Sequence, residues 1–344
     1  MLMPECGDAP VARRKIPFTR IGFVLSLAIF VAAVIVLYHI LRDINPRALL
    51  AALKATDPRT LVVAGCFVAG GYATLTLYDL FALRTIGRFD VPYRIAALGS
   101  FTSYSVGHNV GASVFSGGAV RYHIYSNSGL SVVEVTKICF VAGLTFWLGN
   151  VTMLGFGILY TPAAAHAIDQ IPLWANRSLA ILLLAVLAAY VSWVWSRPRV
   201  IGRDDWQVVL PGGPLTLVQI AIGMVDLSFC AAAMYMLMPS EPSISFATVA
   251  VIFVAATLLG FASHAPGGLG VFDATMLVAL YQFNKEELLA GLLLFRLLYY
   301  IIPFVLSLIV LGIRETRLNA ARRATRAPSL TGASEYAGER SDAS

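Results

Sequence analysis

The chain has 344 residues and a net charge of +6, with 58% hydrophobic residues and only 13% Asp, Glu, Lys and Arg. Soluble domains carry about 25% charged residues, so this composition, with a mean hydropathy of +0.76, excludes a separate water-soluble enzyme domain. The basic residues are dispersed among short loops, so we interpret them as membrane-topology signals and expect no nucleic-acid partner.

Long apolar runs predict six helices that cross the membrane, at 19–41, 60–82, 132–160, 178–196, 213–238 and 287–313. Each run can cross about 30 Å of hydrocarbon at about 1.5 Å per residue. The first run resembles a signal peptide, but its length and the charged residues after it, Arg42 and Asp43, favour a retained span. We therefore predict a cytoplasmic N-terminal segment (1–18), an integral membrane domain (19–313) and a basic, disordered cytoplasmic tail (314–344).

Two further apolar regions, 93–126 and 245–283, each contain a Gly-Gly pair and a short arm, which suits a re-entrant hairpin. The basic residues favour the same choice, because an excess of them is expected on the cytoplasmic side. Six spans and two hairpins place 18 of the 25 basic residues inside and six outside, whereas eight full spans place 14 inside and 10 outside. Hairpins that enter from opposite faces predict an all-α polytopic protein built as an inverted repeat.

The Gly-Gly segments are also candidates for a ligand site, because non-helical backbone at membrane depth must be buried in protein or line a wet cavity. Residues 112–118 and 262–268 share the pattern Ala-Ser, three residues, Gly-Gly. Glycine allows a ligand to approach closely, and a helix that begins after a break presents free N–H groups to an anion. Close helix packing is the alternative role for these glycines. The candidate residues are His108, Asn109, Ser116, Gly117, Gly118, His264, Pro266, Gly267 and Gly268.

Ionisable residues inside apolar runs are costly in a bilayer and are the second group of candidates. Asp226 and Arg296 lie within predicted spans, while Arg121 and Asp273 follow the two Gly-Gly pairs. An arginine can hold a phosphate through two parallel hydrogen bonds. The two aspartates can pair with the arginines or receive a cationic head group.

Other polar and aromatic residues receive structural interpretations. Glu134 and Lys137 are three residues apart and are expected to form an interfacial ion pair, and Asp79 is expected to be structural. For His108 and His264, hydrogen bonding at the breaks is favoured over a metal site or a proton relay. The tyrosines of the last span are interpreted as interfacial anchors. The four isolated cysteines support neither a disulfide framework nor a zinc site, and we expect no metal or cofactor.

Four motifs occur in order across most of residues 20–313. They read GHN through SGGAVRY (107–122), TFWLG (145–149), PGGLGVF (266–272) and FRLLYY with a following proline (295–303). In these motifs the chain resembles the lysylphosphatidylglycerol synthase transmembrane region family. The resemblance implies a lipid-translocating membrane module, with the Gly-Gly segments, Arg121, Arg296 and Tyr299 at the head-group site.

Two features depart from the family pattern. Asp273 stands where the family usually has Glu, which is one methylene longer. Only about 30 residues follow the last predicted span, fewer than an aminoacyl transfer domain needs, so we expect that the chain is not an enzyme by itself.

The preferred hypothesis is a bacterial inner-membrane translocase or lipid-handling protein for phosphatidylglycerol or its lysyl derivative, with both termini cytoplasmic. The alternatives are a secondary transporter of a small polar solute and a non-catalytic membrane subunit of a lipid-modifying enzyme. A groove open sideways to the bilayer would favour a lipid, and a sealed central cavity would favour a solute. The candidate partners are a membrane phospholipid, a separate lipid-modifying enzyme and a second copy of the chain.

Overall fold

The structure is a computed structural model that describes residues 35, 38, 42, 45–111, 113–197, 199–203 and 206–326. For residues 113, 114, 318, 319 and 321–326 it describes the backbone only. The predicted N-terminal segment, nearly all of the predicted first span and most of the predicted tail lie outside the described residues.

The described chain is built almost entirely from α-helices, which are α1 (Pro46–Ala55), α2 (Pro58–Thr85), α3 (Tyr93–Val110), α4 (Ser113–Tyr125), α5 (Val132–Tyr160), α6 (Pro162–Asp169), α7 (Leu173–Ser196), α8 (Gly213–Leu237), α9 (Phe246–Ala262), α10 (Val271–Ala279), α11 (Lys285–Arg296) and α12 (Ile302–Arg326). A π-helical segment, Leu297–Ile301, joins α11 to α12. Short 3-10 turns occupy Ser126–Ser128 and Pro266–Gly268. Between α7 and α8, strands β1 (Val200–Arg203) and β2 (Trp206–Val209) pair antiparallel, with Val200 opposite Val209.

Among the described residues, five helices are long and apolar enough to cross a membrane: α2, α5, α7, α8 and the joined helix Lys285–Arg317. They coincide with five of the six predicted spans, which confirms those predictions. Most of the sixth predicted span, 19–41, lies outside the described residues. The chain is therefore an all-α polytopic membrane protein, apart from the short β1–β2 hairpin.

The start of α5 is set by a capping box. The Ser131 hydroxyl accepts a hydrogen bond from the Glu134 amide, and the Glu134 carboxylate accepts one from the Ser131 amide. The predicted Glu134–Lys137 ion pair is wrong, because Glu134 is held by Arg88 at 2.7 Å. Arg88 also donates to both carboxylate oxygens of Asp90 at 2.9 Å, and these hydrogen bonds hold the pKa of Asp90 below its usual range.

Helices α3 and α4 form a hairpin whose two open ends lie side by side. The Tyr125 hydroxyl oxygen, at the end of α4, lies 3.3 Å from the Ala96 carbonyl oxygen near the start of α3. Arg88, in the loop before α3, donates to the carbonyl oxygen of Ser128 at 3.0 Å, beyond the end of α4. The chain therefore enters α3 and leaves α4 at one end of the helix bundle, which we call the Arg88 end.

Helices α9 and α10 form a second hairpin that opens at the opposite end. Near the start of α9, Val251 lies against Gly157, which is close to the end of α5. Since α5 begins at the Arg88 end, this contact lies at the far end. After α10 the chain continues into α11, where the Glu286 carboxylate accepts a hydrogen bond from the Asn45 amide at 3.3 Å. We call this the Asn45 end.

The tips of the two hairpins meet inside the bundle. Gly111, between α3 and α4, has a φ of +80°, and a Cβ atom there would lie 3.2 Å from the Pro266 Cα atom. Gly267 faces the His108 carbonyl oxygen, which would be 3.2 Å from a Cβ at that position. The return arms are short: α4 has 13 residues and α10 has nine, or about 20 and 14 Å. Two hairpins from opposite ends are the arrangement that an inverted repeat requires.

The first break lies earlier in the chain than the sequence pattern predicted. Gly117 and Gly118 are helical residues of α4, and the chain turns at Gly111 instead. A Cβ atom on Gly117 would lie 3.1 Å from the Ser103 carbonyl oxygen, so this glycine lets α4 pack closely on α3. The second pair, Gly267–Gly268, does break the helix, with φ of +58° and +60°. The repeated pattern is thus shared in sequence and not in backbone conformation.

The TFWLG motif lies where α5 crosses α8. A Cβ atom on Gly149 would lie 2.6 Å from the Gly223 Cα atom, so the two backbones are in direct contact. Beside this crossing, the Gln219 side-chain amide donates to the Thr145 hydroxyl at 2.8 Å. Close helix packing therefore explains Gly149 of this motif.

Candidate functional site

Arg296 and Asp273 form a bidentate ion pair where the second hairpin meets α11. Arg296 Nε and Nη2 donate to the two carboxylate oxygens of Asp273 at 2.9 and 2.6 Å. Arg296 Nη1 also donates to the Gly267 carbonyl oxygen at 3.3 Å, and Asp273 accepts from the Gly270 amide at 3.2 Å. The predicted pairing of Asp273 with an arginine is confirmed. The pair also stabilises the broken backbone around it.

Arg121 and Asp79 form a second and more deeply buried pair between α4 and α2. Arg121 Nε lies 3.1 and 3.0 Å from the two carboxylate oxygens of Asp79, and Nη2 lies 2.8 Å from Oδ1. The Tyr125 hydroxyl donates to Asp79 at 2.7 Å. Asp79 is 0% exposed, so its charge depends entirely on these partners. The sequence offered no sign of this pairing, because the two residues are 42 positions apart and on different helices.

Asp226 is a third buried carboxylate, and among the described residues it has no cationic partner. Its Oδ2 accepts from the Tyr78 hydroxyl at 3.1 Å, and its Oδ1 lies 3.9 Å from the Cys230 thiol sulfur. The predicted pairing of Asp226 with Arg121 or Arg296 is therefore wrong. Each guanidinium group is already held by another carboxylate.

Four aromatic side chains connect the two ion pairs, and we call them the aromatic row: Tyr104, His108, Tyr299 and Tyr300. The Arg121 guanidinium carbon lies 4.7 Å from the centre of the Tyr104 ring, and the His108 ring follows at 5.7 Å. The Tyr300 ring lies 6.1 Å from His108 and 5.5 Å from the Arg296 guanidinium carbon. A continuous series of ring and cation–π contacts thus runs from one ion pair to the other.

The π-helical segment positions the two tyrosines at the end of the aromatic row. The Tyr72 hydroxyl donates to the Tyr299 carbonyl oxygen at 3.0 Å, and the Asn109 amide donates to the Tyr300 carbonyl oxygen at 3.1 Å. The Tyr299 ring stacks on His108 at 5.8 Å and is 8% exposed. Its interpretation as an interfacial anchor is therefore wrong. A π segment is frequent at functional sites, and this one had no signal in the hydropathy pattern.

The other predicted site residues lie around the hairpin tips. The Ser116 hydroxyl donates to the Gly111 carbonyl oxygen at 3.0 Å, and Pro266 contacts Gly111 directly. His108 is partly buried in the aromatic row, whereas His264 is exposed, with a φ of +54° and its Nδ1 3.0 Å from the Ala262 carbonyl oxygen. The structure thus does not bring the two histidines into one site. The residues gathered around the Arg296–Asp273 pair are His108, Asn109, Gly267, Asp273, Arg296, Tyr299 and Tyr300.

The chain is similar to several known proteins. Inner membrane protein YbhN of Escherichia coli is 29% identical over 294 residues, which cover 83% of this chain and 86% of YbhN. The uncharacterized protein slr0712 of Synechocystis is 27% identical over 267 residues, 77% of this chain and 83% of slr0712. The phosphatidylglycerol lysyltransferase of Staphylococcus haemolyticus is 28% identical over 295 residues, which cover 84% of this chain and 33% of the lysyltransferase.

The family comparison covers the whole of the site described above. The model for the lysylphosphatidylglycerol synthase TM region matches residues 23–307, a range that contains both hairpins, both ion pairs and the aromatic row. The matched region of the S. haemolyticus lysyltransferase is about a third of that protein. The chain belongs to the lysylphosphatidylglycerol synthase transmembrane region family.

Proposed function

We propose that this chain is a bacterial inner-membrane protein that moves or handles phosphatidylglycerol or its aminoacyl derivative. The observation that carries the proposal is the Arg296–Asp273 pair at the break of the second hairpin. An arginine within a membrane span costs about 2.5–3.5 kcal/mol even on the lenient insertion scale, so a buried one is a candidate for function. Here Asp273 and the Gly267 carbonyl oxygen offset that cost.

The two ion pairs differ in exposure, and this difference assigns them different roles. The Arg296 and Asp273 side chains are 12% and 11% exposed, whereas those of Arg121 and Asp79 are 7% and 0% exposed. A head group can reach the first of these pairs with less rearrangement. We therefore assign head-group binding to Arg296 and Asp273, and the joining of α2 to the first hairpin to Arg121 and Asp79.

The chemistry of the pair favours an aminoacylated lipid. A phosphodiester presents two oxygens that match the guanidinium fork of Arg296. It must compete with Asp273 for the N–H groups of that guanidinium. An aminoacyl head group also carries an ammonium group, which can take the place of Arg296 at Asp273. Both buried charges then remain paired during the exchange. Unmodified phosphatidylglycerol supplies the phosphate alone and leaves Asp273 with the Gly270 amide.

We also propose that the two hairpins are re-entrant from opposite membrane faces, the first from the cytoplasm. The short return arms support this proposal, since about 14 to 20 Å of helix cannot cross about 30 Å of hydrocarbon. In a background without the native cysteines, Ser126→Cys should react with an impermeant thiol reagent from the cytoplasm only. Lys285→Cys, at the Asn45 end, should react from outside only. Labelling of both positions from the same face would contradict the proposal.

The function is tested with purified protein in phosphatidylcholine vesicles. Leaflet-resolved assays measure the transbilayer movement of lysyl-phosphatidylglycerol, phosphatidylglycerol and phosphatidylcholine, beside the uptake of free lysine. We expect lysyl-phosphatidylglycerol to move faster than phosphatidylglycerol, and phosphatidylcholine to move as in protein-free vesicles. Uptake of lysine without lipid movement would support the solute-transporter alternative instead. Lipid movement only after a lipid-modifying enzyme is added would support the subunit alternative.

A further inference from the structure

A groove of about 340 Å³ lies between α3 and α12 near the Arg88 end. It is lined by Leu98, Val310, Ile313, Arg314 and Arg317. Arg314 follows Arg296 by 18 positions on one nearly continuous helix, so the groove is about 27 Å from the Arg296–Asp273 pair along that helix. It is therefore a separate feature of the molecule.

The groove contains positive charge that the described residues leave unmatched. Arg314 Nη1 is shielded from solvent and has no hydrogen-bond acceptor among the described residues. Its Nη2 reaches the Ile124 carbonyl oxygen at 3.4 Å, a long contact. The nearest acid in sequence, Glu315, is paired with His123 at 2.8 Å. A buried donor of a charged group without an acceptor is costly, and an anion in the groove would remove that cost.

The order of residues along α12 matches the order of groups in a phospholipid. Val310 and Ile313 belong to the apolar part of the helix, and Arg314 and Arg317 follow immediately. Three more arginines occur before α12 ends. An apolar wall that ends in arginines is the arrangement expected where a helix leaves the hydrocarbon for an anionic membrane surface.

We infer that this groove binds an anionic phospholipid, with its phosphate at Arg314 and Arg317 and its acyl chain along Leu98, Val310 and Ile313. The site is distinct from the proposed head-group site, and it requires only that the protein lies in a membrane. A lipid bound here would contact α3 and α12 at once. It would thereby link the first hairpin to the joined helix Lys285–Arg317, which also contains Arg296.

The test uses the full-length chain with Ile313→Trp as a fluorescent reporter in the groove wall. The protein is placed in phosphatidylcholine vesicles that contain about one fifth brominated phosphatidylglycerol, or the same fraction of brominated phosphatidylcholine. The chain has five native tryptophans, so the signal is the difference between the variant and its parent. We expect quenching to show a preference for phosphatidylglycerol, with about a fivefold contribution from each arginine.

Matched substitutions distinguish specific lipid binding in the groove from a general attraction of anionic lipid to basic surface residues. Adding Arg314→Gln and Arg317→Gln should remove the preference, whereas Arg203→Gln, an exposed arginine of the β1–β2 hairpin, should leave it intact. Arg314→Lys serves as a variant that keeps the charge if Arg314→Gln does not fold. Equal quenching by both lipids would overturn the inference, as would equal loss in the Arg203 control. Quenching by neither lipid would also overturn it, because another part of the chain would then cover the groove. The readout is lipid contact, so its failure is distinguishable from a failure of translocation.

Discussion

Arg296→Leu tests whether the Arg296–Asp273 pair is a binding site or only a structural contact. The substitution removes three hydrogen bonds, two to Asp273 at 2.9 and 2.6 Å and one to the Gly267 carbonyl oxygen at 3.3 Å. Asp273 then keeps the Gly270 amide, which donates at 3.2 Å. Breaking a buried ion pair by removing one partner costs about 3–5 kcal/mol. Because both side chains are slightly exposed, we expect the lower end of that range.

Removing both partners should restore most of the stability without restoring function. Arg296→Leu with Asp273→Leu leaves no stranded charge, so we expect a coupling free energy of about 2–3 kcal/mol between the two positions. Arg296→Lys keeps the positive charge but loses the planar fork. It should fold nearly as well as the wild type and move phosphatidylglycerol about tenfold more slowly, which corresponds to about 1.4 kcal/mol.

Two measurements on the same samples separate these effects. Denaturant unfolding in detergent gives the free energy of unfolding, and leaflet-resolved lipid movement in vesicles is normalised to folded protein. The matched control is Arg121→Leu with Asp79→Leu. It removes both charges of the more deeply buried pair and should leave the lipid preference unchanged. Wild-type lipid movement in folded Arg296→Lys and in the Arg296–Asp273 double variant would refute the assignment of the head-group site. Additive free energies would refute the coupling.

Three further outcomes are expected. Asp79→Asn should destabilise the fold by about 3–5 kcal/mol, more than Asp273→Asn does, because Asp79 is fully buried beneath Arg121; equal unfolding midpoints of the two variants would contradict this. Gly267→Ala should cost about 1–2 kcal/mol, because its φ is +58° and the new Cβ would lie 3.2 Å from the His108 carbonyl oxygen. Gly65→Ala is the control, since a Cβ there meets no atom within 4 Å, and equal effects would be inconsistent with strain at Gly267. Purified chain given charged tRNA and phosphatidylglycerol should form no aminoacyl lipid, measured by thin-layer chromatography, and product above background would count against a non-enzymatic role.

The class of protein and most of its long helices follow from the amino-acid sequence. The apolar runs at 60–82, 132–160, 178–196, 213–238 and 287–313 each became a helix of spanning length. This is possible because the bilayer imposes one length and one polarity on every span, and both are properties of a contiguous segment. The cost of a charge in hydrocarbon likewise marked Arg296 and Asp226 as unusual without any knowledge of the fold.

Which of these charges meet, and where the backbone breaks, depends on how the helices pack. Asp79 pairs with Arg121 across two helices, Asp226 pairs with neither arginine, and the first turn falls at Gly111 instead of Gly117. Hydropathy measures the cost of burying a group, but it contains no information about the partner that offsets this cost. A pair of glycines permits either a left-handed turn or a close helix contact, and the helix packed against it determines which one forms.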